Sequence, residues 1–484
     1  MTLSKKETTS VPAHTKGIWS SPYWSLTIGL MLFTLGPAFE ELAVPIVLPN
    51  TVAQLGGLAW YGWTFSMFML TSLVGIVIGG DQADRHGLAV AYGTGMLLFD
   101  LGLLVAGVAP SMAMLLLGRA IQGFGAGTLA SLGNTAIGRL YPDTCKPQML
   151  ALLSTTFVIP GLIGPSFAGM IVALIGWRWV FLGLLPLGPL AMLFVVSSMK
   201  LGSPFPQRIQ EQRNANGQRI VTTGQLVLGA TLALLGLAIH SIPLLLLFVV
   251  GGLTMGGMAL RRLLPSGTLT ARAGLPAAIA TLGLLGLTYF GERAFLPLAL
   301  TSMQAQSSLV AGMAVTAATL TWTVGAWIQT RVVSRYGRRP LVLTGLALLI
   351  VGTVGTTSLL FPSVPVVVVV VAWAIAGTGM GIAFATANLV VLETAPTDQE
   401  GYAVASMQLS TTLGFALGTG LEGAIIGIST EAWKSLTGGT IMITIIFLAS
   451  ACLAVLAAFR LPGKTHEPIS SLAPNVLERG DSPA

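Results

Sequence analysis

The sequence predicts an all-α integral membrane protein with 14 transmembrane helices, and three observations predict it. Its 484 residues are 54% hydrophobic and only 8% charged, whereas a soluble chain carries about 25% charged residues to face water. Apolar stretches of roughly 20 residues recur from end to end, the length a helix needs to cross about 30 Å of hydrocarbon. Positive charge collects in alternate loops, as in a chain threaded back and forth through a bilayer.

Residues 1–23 are a polar tail with Lys5, Lys6 and Lys16. The apolar run after it has no small-residue cleavage site, so it reads as a retained first span and not as a signal peptide. The spans fall at 24–48, 61–80, 88–108, 112–138, 149–175, 179–198, 223–240, 242–260, 273–300, 308–330, 341–361, 365–392, 400–428 and 438–460. If the N-terminus is cytoplasmic, the inside segments hold Lys5, Lys6, Lys16, Arg85, Arg139, Lys146, Lys200, Arg208, Arg213, Arg219, Arg261, Arg262, Arg272, Arg331, Arg335, Arg338, Arg339, Arg460, Lys464 and Arg479. The outside loops hold Arg178 and Lys434. That bias and the even span count place both termini in the cytoplasm.

The same threading accounts for the net charge of +7, so no nucleic-acid partner is implied; there is no basic stripe interleaved with aromatics. Cys145 and Cys452 are the two cysteines, and His14, His86, His240 and His466 are scattered. No zinc-ligand spacing and no disulfide framework results. A Gly-x-x-x-x-Gly-Lys-Ser/Thr phosphate loop is also missing, so neither metal nor nucleotide cofactor is expected.

The chain repeats itself. Asp84-Arg85-His86-Gly87, after the second span, matches Ser334-Arg335-Tyr336-Gly337, after the tenth, 250 residues later. Gly118-Arg119-Ala120-Ile121-Gln122-Gly123-Phe124-Gly125-Ala126-Gly127 lines up with the stretch Ala372 to Gly381 at an offset of 254. Glu40 stands five residues before Pro45, and Glu292 five before Pro297, at an offset of 252. The first six spans therefore lie on the last six, giving two pseudo-symmetric six-helix bundles (24–200 and 273–460) plus two inserted helices (223–260). A polar segment at 201–222, with Pro204, Pro206 and Gln207, reads as a cytoplasmic linker, and 461–484 as a cytoplasmic tail. Parallel six-span repeats are one architecture of secondary transporters, with the substrate site near the midplane between them.

At this point the residues resemble the major facilitator superfamily, in its 14-span drug:proton antiporter branch. Gly80-Asp81-Gln82-Ala83-Asp84-Arg85-His86-Gly87 is similar to its loop signature, with Leu88 and Ala89 where a basic pair is usual. The second copy keeps Arg338 and Arg339 but has Ser334 for the Asp. Arg119 with Gln122-Gly123 resembles the fourth-helix motif; Gly161-Leu162-Ile163-Gly164-Pro165 with Gly169 resembles the fifth-helix motif of antiporters. Trp177 to Phe181 is similar to the 14-span branch, and Phe39-Glu40 to Pro49 resembles its first-helix signature with Glu in place of Asp. Thr321 to Gln329 and Glu292 to Leu300 resemble the actinobacterial exporters that include the mycobacterial multidrug and triacylglyceride exporter. The resemblance implies a major facilitator fold in a bacterial plasma membrane, monomeric among membrane lipids, exporting lipophilic drug-like compounds in exchange for protons. A lipid exporter or flippase on the same fold is the alternative. A polytopic membrane enzyme would need a clustered catalytic constellation, which the sequence does not offer.

A charge at the bilayer centre costs at least about 2.5 kcal/mol, so each charge inside a span is a functional candidate. Glu40 and Arg119 each lie roughly eight residues from the outer end of their spans, so at about 1.5 Å per residue they share a depth and can meet. Burial between helices favours a protonated carboxyl and a nearby guanidinium favours an ionised one. Glu40 is thus placed to take up a proton in one conformation and release it in another, with Arg119 as the fixed positive charge; a static buried ion pair is the competing reading. Glu41 is a second candidate. Glu292 and Arg293 are the counterparts in the second copy and point about 100° apart, so one faces the cavity and the other a helix contact. Asp100 and Glu422 are secondary charges. Asp84, Arg85, Gly87, Arg335, Gly337 and Arg338 read as conformational latches at helix ends, and Gly161, Gly164 and Pro165 as a packing or bending motif. Trp60, Tyr61 and Trp63 read as an interfacial belt.

Overall fold

The computed structural model describes residues 17–199 except Pro22 and Asp143, residues 210–396 except Ala238 and His240, and residues 399–463 except Trp433. Most of the expected N-terminal tail, residues 200–209 of the linker and residues 464–484 lie outside the described residues.

The first copy comprises α1 (Trp24–Leu55), α2 (Tyr61–His86), α3 (Leu88–Gly107), α4 (Met112–Leu140), α5 (Lys146–Thr156), α6 (Val158–Leu174), α7 (Arg178–Leu182) and α8 (Leu187–Met199). The inserted pair is α9 (Gln210–Leu237) and α10 (Ile242–Leu263). The second copy comprises α11 (Leu275–Leu285), α12 (Gly291–Met303), α13 (Ser308–Tyr336), α14 (Arg338–Thr356), α15 (Val366–Thr394), α16 (Glu400–Ala432) and α17 (Leu436–Ala458). Thirteen helical segments among the described residues are long and apolar enough to cross a membrane. The fourteenth span is α4, 29 residues long, in which Arg119, Gln122 and its glycines dilute the apolar content.

Where the chain departs from simple spans, backbone chemistry gives the reason. Pro160 has no N–H to offer the carbonyl of Thr156, and the fifth span breaks there into α5 and α6. The break lies ahead of the Gly161 to Pro165 cluster; Pro165 itself sits inside α6 without ending it. Pro186 likewise leaves the carbonyl of Leu182 without its donor, and the sixth span divides into α7 and α8. The ninth span runs α11, a π-helical turn at Gly286–Phe290, then α12. Such turns widen a helix by one residue and are common at functional sites. The helix of the seventh span starts at Gln210, well before residue 223, because the Gln-, Glu-, Arg- and Ala-rich segment ahead of it propagates the helix.

The same packing unit is built twice: α4 lies between α2 and α3, and α15 lies between α13 and α14. Glycines set the approach. A Cβ on Gly123 or Gly127 would strike backbone oxygens of α2, and one on Gly125 would strike α3. Gly377 and Gly381 meet α13 in the same way, and Gly379 meets α14. Such contacts let helices associate closely where lipid offers no hydrophobic drive. The α9–α10 pair packs on itself and docks through α9 against α2 and α16. Its outer face is apolar, with Leu247 and Leu253 65% and 62% exposed, as a surface bathed in lipid requires.

The two copies meet at the end of the bundle opposite Arg85, Arg139 and Arg338. There α6 packs on α13, α2 on α16 and α1 on α12. Gly62 and Gly423 abut, and Gly169 and Gly312 admit the facing backbone. Polar groups bridge the seam: Asn50 Nδ2 donates to Ser308 Oγ at 2.6 Å, Tyr61 Oη donates to the Ala294 carbonyl at 2.7 Å, and Ser66 and Thr419 hydroxyls meet at 3.0 Å. Tyr61 is therefore buried in this seam, Trp63 is buried as well at 4% exposure, and only Trp60, 46% exposed, is placed for the expected interfacial belt.

Candidate functional site

The site is a chain of buried charges across the middle of the bundle. Glu40 on α1 is fully buried and its Oε1 accepts from Nη1 of Arg119 on α4, as their shared depth anticipated. The same Nη1 donates to Gln122 Oε1 at 2.8 Å, Nε donates to the Thr64 carbonyl at 3.2 Å, and the guanidinium lies 4.2 Å over the Phe68 ring. Arg119 is thus clamped from α1, α2 and its own helix. Two atoms at this cluster have no protein partner: Glu40 Oε2 and Gln122 Nε2. One helical turn along, Pro37 and Ala126 join Leu30, Phe33, Leu129 and Phe157 around an apolar cavity of about 90 Å³.

Glu41 turns the other way. Its Oε1 accepts from Arg293 Nη2 of α12 at 2.9 Å, joining the two copies. The Arg293 side chain is 6% exposed and that of Glu41 35%, and the guanidinium also faces the rings of Phe290 and Phe415 at 4.7 and 5.5 Å. Glu292, next in sequence, points away: Thr353 and Thr356 of α14 donate to its two carboxyl oxygens, each at 2.6 Å. The π-helical turn immediately before α12 sets the azimuth at which these two side chains leave the helix.

Glu422 on α16 is 1% exposed, and neither of its carboxyl oxygens has a hydrogen-bond partner. It lies within electrostatic reach of Glu292 and Tyr61. A carboxylate without partner is costly in such a place, whereas a protonated carboxyl is neutral. Sequence position ranked it beside Asp100, and nothing in its neighbours' spacing distinguished it; burial does. Asp100 instead sits against Gly188 of α8, away from the other charges.

At the basic end, Arg139 Nη2 of α4 donates to Asp84 Oδ1 of α2 at 2.6 Å, and Arg85 pairs with Asp81 at 2.7 Å. In the second copy Arg338 forks onto Glu393 of α15 at 2.9 and 2.6 Å. The second copy thus also ties its central helix by an ion pair at this end, but to α14 and with the acidic member on the central helix, a partner the sequence comparison did not name. Arg335 lies 5.4 Å from the Tyr336 ring. Gly87 and Gly337, at φ of 88° and 81°, each form the single-residue link between consecutive helices, a conformation side chains resist. Gly161 faces Thr319 of α13, Gly164 faces Phe39, and Pro165 O abuts Gly312, so this motif is a seam contact between the copies. Among the described residues no group of acidic, His or Cys side chains is arranged to hold a metal.

Repeated helix sets around a buried charge network are an architecture of membrane transporters. The family model of the Major Facilitator Superfamily matches residues 25–288 and again 281–478, and the chain belongs to that superfamily. It is 23% identical over 418 residues to the multidrug transporter protein MdtP of Bacillus subtilis, covering 83% of this chain and 75% of the relative. It is 26% identical over 438 residues to a probable multidrug-efflux transporter of Mycobacterium tuberculosis, covering 86% and 90%. Among solved structures, a peptide transporter of the POT family in complex with alafosfalin has a TM-score of 0.66 at 15% identity, covering 92% of this chain and 96% of that one. A D-xylose–proton symporter has a TM-score of 0.61 at 13% identity, covering 92% and 99%. At these identities the two structures speak for the fold alone.

Proposed function

We propose that the protein is a proton-coupled antiporter of a bacterial plasma membrane that exports lipophilic, drug-like compounds by alternating access. The observation that carries this reading is the Glu40–Arg119 pair, fully buried, with one carboxyl oxygen unpartnered and an apolar cavity one turn away. The unpartnered Glu40 Oε2 is where a proton adds. Protonation removes the charge that Arg119 neutralises, leaving the guanidinium held by Gln122, the Thr64 carbonyl and Phe68. Cargo in the adjacent cavity and the proton then compete through one electrostatic balance, each favouring a different opening of the bundle. Glu292 and Glu422 are further proton sites of the second copy, and the halves 24–200 and 273–460 are the moving bodies. The names of the Bacillus and Mycobacterium relatives support a drug-like cargo. The basic end faces the cytoplasm, as the charge bias of the loops requires.

A lipid cargo is the second reading. It is favoured by a groove of about 200 Å³ between α6 and α13, lined by Val158, Gly161, Leu162, Leu320, Val324 and Trp327 and flanked by exposed apolar side chains. Such a groove admits a cargo sideways from the bilayer.

Transport in proteoliposomes with and without an imposed pH gradient tests the proposal. One unit of pH is worth about 1.4 kcal/mol per proton, or about tenfold in steady-state cargo ratio. Glu40→Gln and Arg119→Ala are expected to lose that gain. If both variants accumulate cargo as the wild type does, the coupling assignment is wrong. Loss of labelled lipid from the same liposomes, without drug efflux, selects the second reading.

A further inference from the structure

The inserted helices create a cavity that the charge network does not use. It measures about 140 Å³ and lies at the basic end, where α9 docks across α2 and α16. Its walls grade from charged to apolar. Arg219 stands exposed at the rim, and Arg261 and Arg262 lie in the exposed last turn of α10 nearby in the chain from Leu263, another lining residue. One turn deeper on the Arg219 face of α9 is Thr223, and across from it on α16 is Ser406. The floor is Leu73, Ile76 and Val77 of α2 with Leu409 of α16.

The two hydroxyls are the telling feature. Serine and threonine inside an apolar helix ordinarily donate to the carbonyl one turn back, as Thr222 does to Gln218 at 2.8 Å. Thr223 and Ser406 are 1% and 2% exposed, and neither hydroxyl has any partner. Both line the cavity, so each holds an unused donor beside it. A buried hydroxyl left unbonded is costly, and an acceptor atom entering the cavity removes that cost at both positions. With Arg219 above and apolar side chains below, the acceptor must be anionic and attached to a hydrocarbon chain. Basic pockets between helices at this depth are suited to anionic lipid headgroups.

We infer that the cavity between α2, α9 and α16 binds an amphiphile with an anionic, phosphate-like head, held by Arg219, Thr223 and Ser406. The ligand would tie the inserted pair to both copies at once, because α2 and α16 belong to different copies. The inference is independent of which compound is exported and of which carboxyl carries the proton.

Two sources share this chemistry: an anionic phospholipid of the bilayer, and a free alkyl phosphate. Binding is measured on the full-length protein in zwitterionic phosphatidylcholine nanodiscs, by native mass spectrometry, with phosphatidylglycerol in one arm and dodecyl phosphate in the other. Arg219→Ala is expected to weaken binding about fivefold, the effect of one basic residue at an anionic head. Thr223→Val with Ser406→Ala is expected to weaken it about tenfold or more, as donors to a charged group are lost. Arg219→Lys should retain most of the affinity, and Ala405→Phe, which fills the cavity, should abolish it. Losses in the phosphatidylglycerol arm identify a lipid, and losses confined to the dodecyl phosphate arm identify a free amphiphile. If neither arm changes in any variant, or if phosphatidylcholine competes equally, the inference is overturned.

Discussion

The Glu41–Arg293 pair gives the sharpest quantitative expectation, because it links α1 of the first copy to α12 of the second. Replacing Glu41 with Gln leaves the Arg293 guanidinium facing Phe290 and Phe415 with no countercharge. Removing one partner of a fully buried pair costs about 3–5 kcal/mol, whereas exposed pairs are worth about 0–1 kcal/mol. Arg293 is 6% exposed and Glu41 35%, so a value of about 2 kcal/mol lies between those limits. That cost falls on the state in which the two copies touch, and it shifts the closed-to-open ratio at the seam about 30-fold. Spin labels on Ala53 and Ser302, exposed near the ends of α1 and α12, report the opening as a distance distribution in nanodiscs. Glu41→Gln should transfer population from the short to the long distance. The exchange Glu41→Arg with Arg293→Glu should recover part of the short population, since opposite charges again face each other. A change of less than about twofold in the Glu41→Gln ratio, or an exchanged pair no better than the single variant, would refute the assignment of this pair as a seam contact that biases conformation.

Other expectations follow from the packing. A Cβ at Gly62 would come within 2.0 Å of the Thr419 carbonyl oxygen, so Gly62→Ala should force α2 from α16, cost about 1–3 kcal/mol and raise the long-distance population of the same labels; an unchanged distribution and melting temperature count against it. Gly87→Ala should lower the stability by about 1–3 kcal/mol, because its φ of 88° with ψ of 161° is a backbone conformation almost confined to glycine. Gly337→Ala should lower it further, because its Cβ also meets the Gly463 carbonyl at 2.3 Å; equal losses would show that only backbone strain matters. Glu422→Gln should leave the melting temperature unchanged or raise it, since neither carboxyl oxygen has a partner to lose, while Glu40→Gln should lower the stability by about 3–5 kcal/mol, because one partner of a fully buried pair is removed. The reverse order would exchange the roles given to these two carboxyls.

Much of the fold was legible because span length and charge asymmetry are physical requirements of the bilayer. Repeat offsets and shared depth were enough to anticipate that Glu40 and Arg119 meet, since depth along a helix is linear in residue number. Azimuth was not legible. Helices in this bundle are apolar nearly all round, so periodicity does not say which side faces lipid and which faces a neighbour. That is why Tyr61 and Trp63 read as belt residues although both are buried, and why Glu422 stood level with Asp100. The directions of Glu292 and Arg293 were hidden for a further reason: a π-helical turn just before them alters the helical register, and sequence does not mark it. The breaks at Phe157 and Gly183 each lie three residues before a proline, Pro160 and Pro186, but proline alone does not distinguish a helix break from a helix that continues, as it does through Pro165.

The 252 residues that separate Glu41 from Arg293 are also the interval that separates Glu40 from Glu292. Each member of the bridging pair is therefore the other's image, and the contact lies on the axis that relates the two copies. On such an axis any residue must meet its own equivalent, so a bundle made of two identical halves would press glutamate against glutamate there. Joining the halves in one chain is what permits opposite charges at that point. The asymmetry that lets this protein close at its centre is thus unavailable to a symmetric dimer of the same fold.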